Sequence, residues 1–184
     1  KLARLQYNYN DTYLFSASYR RDGSSKFSEN NRYGDFLGFS AGWNIHNESF
    51  FNVKGINGLK VRASWAEVGN QNIADYAFTP VIETGINYPF GPNESLSFGS
   101  IQRSYVDPNI KWETTISKNL GIDLSMLEGR LNFTADVYEN AKEDMLLQER
   151  LPASAGVYQT RAIGVYDVKV TNAGNMVNRG VELA

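Results

Sequence analysis

The 184-residue sequence contains no cysteine and a single histidine, His46. Without cysteine the chain can form neither disulfide bonds nor Cys-based zinc or iron–sulfur sites, and one histidine cannot build a site of several imidazoles. We therefore expect no cofactor and no metal. Acidic and basic residues nearly balance, 20 against 18. The resulting net charge of −2 gives no general attraction to phosphate backbones, so nucleic acid is not an expected partner.

Long apolar runs are also missing from the sequence. No apolar stretch exceeds three residues, as in Tyr13-Leu14-Phe15. A transmembrane helix needs roughly 20 consecutive apolar residues, and a secretory signal needs an apolar stretch of roughly 7–15. Aromatic residues are plentiful instead, since 11 Tyr, 10 Phe and 3 Trp make up 13% of the chain. Because aromatic side chains favour pleated surfaces, this composition predicts a mostly β structure.

Apolar and polar residues alternate with a period of two along most of the chain, which is typical of half-buried β-strands. This alternation predicts seven strands, at 3–9, 13–20, 37–45, 59–65, 112–126, 131–137 and from about 177 to 183. The pair Asn10-Asp11 would join the first two strands in a tight hairpin. Lys118 violates the pattern because it falls on an apolar side. It either extends its ammonium toward a membrane boundary or marks a bulge that resets the register.

The links between the predicted strands alternate in length. The first, third and fifth are short or moderate, whereas the second, fourth and sixth are long, at about 21–36, 67–111 and 142–176. In an up-and-down sheet, alternate links lie at opposite ends of the strands, so all the long links share one end. Short turns at one end and long loops at the other are typical of an outer-membrane barrel.

Two further features favour a membrane barrel over a soluble β-sandwich, which also alternates apolar and polar residues. Several strands reach the roughly 9–11 residues that a tilted bilayer span requires. Aromatic residues fall near strand ends, where an interfacial girdle is expected, at Tyr9, Tyr13, Trp43 and Trp65. We predict an all-β fold, an antiparallel transmembrane β-barrel in the outer membrane. A soluble or surface carbohydrate-binding sandwich and a passive porin-like channel remain as alternatives.

The predicted strands are too few to close a barrel. Single-chain bacterial barrels have an even number of strands, from about 8 upward, and in lipid every backbone polar group must be paired. We therefore expect residues 1–184 to be a contiguous part of the barrel domain of a larger chain.

A set of motifs across nearly the whole chain, in a fixed order, resembles SusC/RagA-type TonB-dependent outer-membrane transporters of Bacteroidota. The individual motifs are short, and their combination carries the resemblance. They are Arg20-Arg21-Asp22-Gly23-Ser24-Ser25-Lys26-Phe27, Asn31-Arg32-Tyr33-Gly34, Ser40 to Ile45, Leu59 to Trp65 with Gly69-Asn70-Gln71, Trp112-Glu113-Thr114-Thr115, Asn119 to Leu124, Arg130 to Tyr138, and Asn178 to Leu183.

The resemblance implies properties that composition and spacing do not. Such transporters are barrels of about 22 strands with an N-terminal plug. They import glycan or peptide fragments with energy delivered by TonB, and a SusD-like surface lipoprotein closes over the extracellular mouth. This chain would supply about seven strands, without the plug, the TonB box or the C-terminal strands. The expected partners are the lipoprotein, outer-membrane lipid, an oligosaccharide or peptide substrate and, through other parts of the chain, the TonB complex.

The fourth link contains the best candidates for function. Between Asn70 and Tyr105 it combines aromatic faces with amides, which suit sugar rings or extended peptides. Long ordered loops also need packing of their own, so the same aromatics could form a small loop core or contact the lid lipoprotein. Both readings stay open for the candidates Tyr76, Phe78, Tyr88, Phe90, Phe98 and Arg103.

The alternation also predicts which polar groups line the lumen if the apolar face meets lipid. These are Arg4, Gln6, Asn8, Ser16, Ser18, Lys60, Arg62, Asn132 and Asp136. No catalytic set is visible, and the chain is not expected to be an enzyme. The carboxylates Glu139, Glu143 and Asp144 read as a solvated loop end, and His46 reads as a turn cap.

Overall fold

The computed structural model describes residues 1–102, 105–152, 154 and 168–184. Within these residues the chain is built almost entirely from strands, with two short 3-10 helices at Glu29–Asn31 and Ile45–Asn47. In this part of the chain, no helix has the length and apolar character of a membrane span. The strands are β1 (Leu2–Tyr9), β2 (Tyr13–Gly23), β3 (Tyr33–Asn44), β4 (Ile56–Asn70), β5 (Ile82–Phe90), β6 (Ser95–Gln102), β7 (Glu113–Met126), β8 (Leu131–Glu143), β9 (Leu146–Arg150), β10 (Val168–Asn172) and β11 (Met176–Leu183).

Seven of these strands form one antiparallel sheet in the order β1-β2-β3-β4-β7-β8-β11. Each strand therefore pairs with the next one along the meander, as the alternation predicted. The long fourth and sixth links each contain a separate two-stranded hairpin, β5–β6 and β9–β10. The predicted all-β antiparallel fold is confirmed. These two hairpins add four strands to the seven that the alternation predicted.

The two faces of the main sheet differ sharply. We call the face that carries Leu5, Phe39, Leu120 and Val137 the apolar face, and the face that carries Arg62 the polar face. On the apolar face Leu5 is 63% exposed and Val137 is 55% exposed. A β-sandwich would cover such a face with a second sheet. Nothing in the described residues covers it, as expected for a wall that meets lipid.

The buried core lies at the long-loop end of the sheet. It consists of Phe27, Phe36, Ile73, Ile110 and Trp112, which we call the loop layer. The Trp112 ring lies 5.1 Å from that of Phe27 and 5.6 Å from that of Phe36. The strand predicted at 112–126 was expected to include Trp112, which was wrong. β7 begins one residue later, and the Trp112 indole turns into the loop layer.

Aromatic residues gather at the short-turn end of the apolar face. The Tyr13 ring stacks on Trp43 at 6.3 Å, and the Tyr13 hydroxyl and the Trp43 indole both donate to Oε1 of Glu48, at 2.5 and 3.0 Å. Tyr9 adds a third ring, 6.5 Å from Tyr13. This cluster matches the expected girdle at one membrane boundary. Trp65, by contrast, lies inside β4 rather than near its end.

Lys118 is part of a regular ladder. β7 pairs with β4 opposite Trp65 and with β8 opposite Glu139, and the only register shift in these two ladders falls between Ile56 and Gly58. A bulge at Lys118 is therefore wrong. The side chain points out of the apolar face because the pleat puts it there.

Candidate functional site: the polar face and the long-loop end

Arg62 is the centre of an ion-pair network on the polar face. Its Nε donates to Asp123 at 3.1 Å, and its Nη2 donates to Asp136 at 2.6 Å. Asn119 accepts a longer bond from Nη1 at 3.4 Å, and the Thr134 hydroxyl donates to Asp123 at 3.2 Å. One guanidinium thus joins β4, β7 and β8 in a fixed geometry, as its rigid fork of donors allows.

Gly121 makes this reach across a strand possible. It stands between Arg62 and Asp136 in the same row of the sheet. A Cβ at Gly121 would lie 2.7 Å from Cζ of Arg62 and 2.6 Å from Oδ1 of Asp136. Any other residue at Gly121 would occupy the space that the guanidinium needs. The network therefore depends on the absence of a side chain at Gly121 as much as on the charges.

The structure places the polar side chains predicted to line the lumen on one face. Six of them share a groove on that face with Asn119, namely Arg4, Gln6, Asn8, Ser16, Lys60 and Arg62. Asp136 joins through Arg62, whereas Asn132 lies near the short-turn end, where its Nδ2 donates to the Gly129 carbonyl at 3.1 Å. Ser16 faces Ser40 at 2.8 Å across the β2–β3 pair, and Ser18 lies near the Gly38 carbonyl at 3.4 Å. That this face lines a lumen stays a prediction.

Asp123 was not among the residues predicted to line the lumen, although it is a partner of Arg62. The signal was present, because Asp123 occupies a polar position of the β7 alternation. The ladder sets Asp123 opposite Lys60 and one row from Arg62. Only the cross-strand register shows that the guanidinium turns toward it.

Side-chain hydrogen bonds to backbone groups tie the long loops together. Lys26 donates through Nζ to the Ile73 carbonyl at 2.8 Å, and Asn31 donates to the Asn109 carbonyl at 2.9 Å. Asn172 donates to the Lys111 carbonyl at 2.9 Å and to the Asp144 carbonyl at 2.7 Å. All three long links therefore meet in one hydrogen-bonded and packed unit around the loop layer.

Asp107 is a charged latch in this unit. It accepts a hydrogen bond from the Thr171 hydroxyl at 2.5 Å and one from the Asn109 amide at 3.0 Å. The Thr171 hydrogen bond, helped by the Asn109 amide and the nearby Lys169 charge, lowers the pKa of Asp107 below its usual value. Stabilisation from a carboxylate with a lowered pKa is present above its unfolded-state pKa and lost as the pH falls through the folded-state value.

We expect Asp107→Ala to loosen β10 at neutral pH. Hydrogen bonds to charged groups contribute more than neutral ones, so amide exchange across Val168–Asn172 should quicken by about tenfold. Lowering the pH of the unaltered protein below about 4 should have the same effect after correction for intrinsic exchange rates. Hydrogen exchange measured by mass spectrometry checks both. Asp75→Ala, which changes an exposed loop carboxylate, is the control, and equal exchange in the two variants would refute the latch.

The candidate aromatics of the fourth link divide into two groups. Phe78 packs against the loop layer, which supports self-packing for this residue. The others point outward: Phe98 is 89% exposed, and Tyr76 and Phe90 are 69% and 67% exposed. Tyr88 forms an edge-on pair with Phe90 at 6.1 Å. Arg103 lies outside the described residues.

The exposed aromatics mostly belong to the β5–β6 hairpin. Its ladder pairs Tyr88 with Ser97 and Asn87 with Phe98, so Tyr88 and Phe98 lie on opposite faces. Leu96 shares the Phe98 face and is 71% exposed. A single two-stranded hairpin is only marginally stable by itself in water. The chain before and after it is anchored in the loop layer through Ile73 and Ile110, so the hairpin projects from a packed base.

The remaining candidates show no catalytic arrangement. Nδ1 of His46 accepts a hydrogen bond from the Leu59 amide at 3.3 Å, which agrees with a turn cap. Among the described residues, no three His, Cys, Asp or Glu side chains gather as a metal-binding group. Asp144 pairs with Lys111 at 2.7 Å, and Glu139 pairs with Lys118 and Arg179.

The sequence matches a family model described as "TonB dependent receptor-like, beta-barrel" over residues 2–184. It is 38% identical over 183 residues to TonB-dependent receptor P39 of Formosa agariphila, covering 99% of this chain and 16% of that protein. It is 32% identical over 184 residues to TonB-dependent receptor SusC of Bacteroides thetaiotaomicron, covering 98% of this chain and 17% of that protein. The chain thus spans about one-sixth of the length of these relatives.

Solved structures show the same fold. A structure of the RagAB peptide transporter matches with a TM-score of 0.80 at 23% identity, over 99% of this chain and 19% of that one. The RagAB peptide importer in its "closed-closed" state matches with a TM-score of 0.81 at 23% identity, over 99% of this chain and 18% of that one.

Proposed function

Because this chain belongs to the family of TonB-dependent receptor-like β-barrels, we propose that it forms wall and extracellular loops of an active transporter in the outer membrane. The family is one of receptors and transporters of the outer membrane rather than of enzymes. The apolar face meets lipid, and the polar face with its Arg62 network lines the lumen. The strands of this chain are then part of a larger barrel, and the long loops lie outside the cell.

The transported solute is a glycan or peptide fragment. The structural likeness to a protein named as a peptide transporter supports a peptide, and a glycan is the other class that the resemblance to SusC/RagA-type transporters implies. Energy from TonB reaches the solute pathway through parts of the chain beyond these residues. The chain itself carries out no covalent chemistry, and its contribution is a polar wall of mixed charge without strong ion selectivity.

The single observation that carries the finer proposal is the exposed apolar surface of the β5–β6 hairpin. Exposed apolar side chains that cluster on a soluble loop mark an interaction site. Leu96 and Phe98 share one face of the hairpin and are 71% and 89% exposed, Phe90 on the opposite face is 67% exposed, and the hairpin projects at the extracellular end. We infer that a SusD-like surface lipoprotein, which closes over the mouth as a lid, covers this hairpin.

Lid contact explains the hairpin better than direct substrate contact does. Interface anchors are typically aromatic and need a rigid base to reach a partner. Here the base is the loop layer, which Phe78 joins, while Phe90 and Phe98 remain outside it. Sugar-binding aromatics would instead be expected to face the polar groove around Arg62.

We expect the double variant Phe90→Ser and Phe98→Ser to lose the lid. Replacing two anchor aromatics should weaken binding of the lipoprotein at least about 30-fold, while the folded barrel persists. Co-purification of the tagged lipoprotein with the intact transporter measures this. Phe50→Ser is the matched control, because Phe50 is an exposed phenylalanine, 68% exposed, in the link between β3 and β4 at the short-turn end.

Two other results would count against this assignment. Unchanged co-purification with reduced solute uptake would assign the aromatics to substrate contact. Unchanged co-purification with unchanged uptake would remove the hairpin from the function altogether.

A further inference from the structure

Three charged side chains form a row on the apolar face. Nζ of Lys118 on β7 lies 2.8 Å from Oε1 of Glu139 on β8, and Nε of Arg179 on β11 lies 2.6 Å from Oε2 of the same carboxylate. The ladders place the three residues directly opposite one another. The side chains of Lys118 and Arg179 are 55% and 73% exposed, whereas that of Glu139 is only 26% exposed. We call this set the charged row.

Apolar rows flank the charged row on both sides. Toward the short-turn end the next row is Leu120, Val137 and Val181, and toward the long-loop end it is Ile116, Ala141 and Val177. The charged row and the Leu120 row together line one shallow groove on this face. Trp65 on β4 lies directly opposite Lys118. The cations thus sit within a surface that otherwise suits lipid.

The charges of the row do not cancel. Within this set of three residues, two cations share one carboxylate, which leaves the set with an excess of one positive charge. Among the residues that the structure describes, the next carboxylate on the apolar face is Glu67, one row toward the long-loop end and opposite Ile116. Cations that face lipid are costly at the bilayer midplane and become tolerable toward the boundary. An anion supplied by the surrounding membrane would remove the remaining cost.

The height of the row selects the leaflet. Lys118 is five positions from the long-loop end of β7 and eight from its short-turn end. At about 3.3 Å per residue and a tilt of about 40°, the row stands about 20 Å above the short-turn end. The apolar band of such barrels is about 25 Å tall. The backbone of the row therefore lies about 5 Å below the outer edge of the band, and the long side chains of Lys118 and Arg179 span that distance to the headgroups of the outer leaflet.

We propose that the charged row binds the phosphate of an anionic lipid of the outer leaflet. Lys118 and Arg179 donate to the phosphate oxygens, Glu139 holds the two cations apart, and an acyl chain lies along Leu120, Val137 and Val181. A planar guanidinium binds phosphate oxygens in bidentate geometry, and an ammonium binds them as a point charge. This site lies on the outer wall of the barrel, so it is independent of the transported solute and of lid docking.

The test compares charge removal at this site with the same change elsewhere. The double variant Lys118→Gln and Arg179→Gln keeps side-chain length and removes both cations. The control, Lys54→Gln with Arg130→Gln, removes two exposed cations at the short-turn end. Intact protein is extracted from outer membranes in mild detergent, and co-purified phosphorylated lipid A is quantified by mass spectrometry. Each cation at a membrane surface contributes about fivefold to lipid binding, so the site variant should retain on the order of 20-fold less lipid than the control.

A second measurement identifies the source of the phosphate. Delipidated intact protein is heated with one of three additives. These are diphosphorylated lipid A, lipid A of the same acyl composition without its phosphates, and inorganic phosphate alone. We expect only the phosphorylated lipid to raise the unfolding temperature, and only in protein with the charged row. Equal stabilisation by inorganic phosphate would overturn a lipid site. Equal lipid retention by the site variant and the control variant would overturn it too.

Discussion

Gly121→Ala should lower the temperature at which the intact barrel unfolds, whereas Gly42→Ala should leave it almost unchanged. The two glycines flank Arg62 in the same row of the polar face, one on β7 and one on β3. They receive the same added methyl group on the same kind of strand. Any difference between the variants therefore reports what each methyl group meets.

The surroundings of the two glycines differ. At Gly121 the new Cβ would lie 2.6 Å from Oδ1 of Asp136 and 2.7 Å from Cζ of Arg62. At Gly42 the nearest atom is Cε of Lys60 at 3.4 Å, the far part of a flexible side chain. Alanine at Gly42 thus makes an ordinary contact. Alanine at Gly121 expels the guanidinium and leaves Asp123 and Asp136 near each other without their shared cation.

The shift in gel migration after heating measures the unfolding temperature of such barrels. We expect Gly121→Ala to fall several degrees below Gly42→Ala, and Gly121→Val to fall further because its side chain fills more of the same space. Arg62→Ala should resemble Gly121→Ala, since both remove the cation from the two carboxylates. If Gly121→Ala unfolds at the same temperature as Gly42→Ala, the network contributes nothing to the stability of the wall.

The main sheet could be predicted from the sequence because each strand carries its own evidence. Leu59, Val61 and Ala63 alternate with Lys60 and Arg62, and a one-residue slip would reverse every side chain. The motifs that resemble SusC/RagA-type transporters fixed the family, and the match over residues 2–184 confirmed it. The sandwich alternative was wrong, because a sandwich would cover the apolar face with a second sheet. In a barrel wall the apolar face meets lipid and needs no second sheet.

The hairpins escaped prediction because their local pattern is broken. The β5–β6 register shifts between Thr84 and Ile86, and Gly85 at the shift has a φ of 83°. A shift of one residue reverses the alternation halfway along the strand, so neither half reaches a recognisable length. β9 and β10 have only five residues each, which is too short for periodicity to distinguish a strand from a loop.

The side-chain partners across strands and loops could not be predicted from the sequence, for a different physical reason. Trp112 and Phe27 are far apart in the chain, and only the folded loops bring their rings to 5.1 Å. Likewise, Arg62 has carboxylates at 61 and 74 residues' distance along the chain. Alternation identifies the face on which a side chain lies. It does not give the rotamer that selects one partner among several neighbours.

Phe27→Ala should release the long loops without unfolding the barrel wall. Phe27 is fully buried and packs on Trp112. Removing a buried phenylalanine ring costs about 3–5 kcal/mol. The seven-stranded ladder does not include Phe27, so the cost falls on the loop layer, which opens as a local unit.

Limited proteolysis of the intact protein measures this opening. When cleavage samples a transiently open state, its rate follows the open population, so a loss of about 3 kcal/mol should speed loop cleavage at least about 100-fold. Phe98→Ala is the matched control, because the same ring is removed from a side chain that is 89% exposed. It should change the cleavage rate little, although it removes a proposed lid anchor.

Comparing the two variants distinguishes the packing that holds the β5–β6 hairpin in place from the contact that the hairpin makes with the lid. Phe27→Ala should weaken lid binding by disordering the base of the β5–β6 hairpin, and it should speed cleavage as well. Phe98→Ala should weaken lid binding with cleavage unchanged. Equal cleavage of the two variants would mean that Phe27 does not hold the loop layer together. Rapid cleavage of Phe27→Ala with full lid binding would mean that the hairpin docks without its packed base.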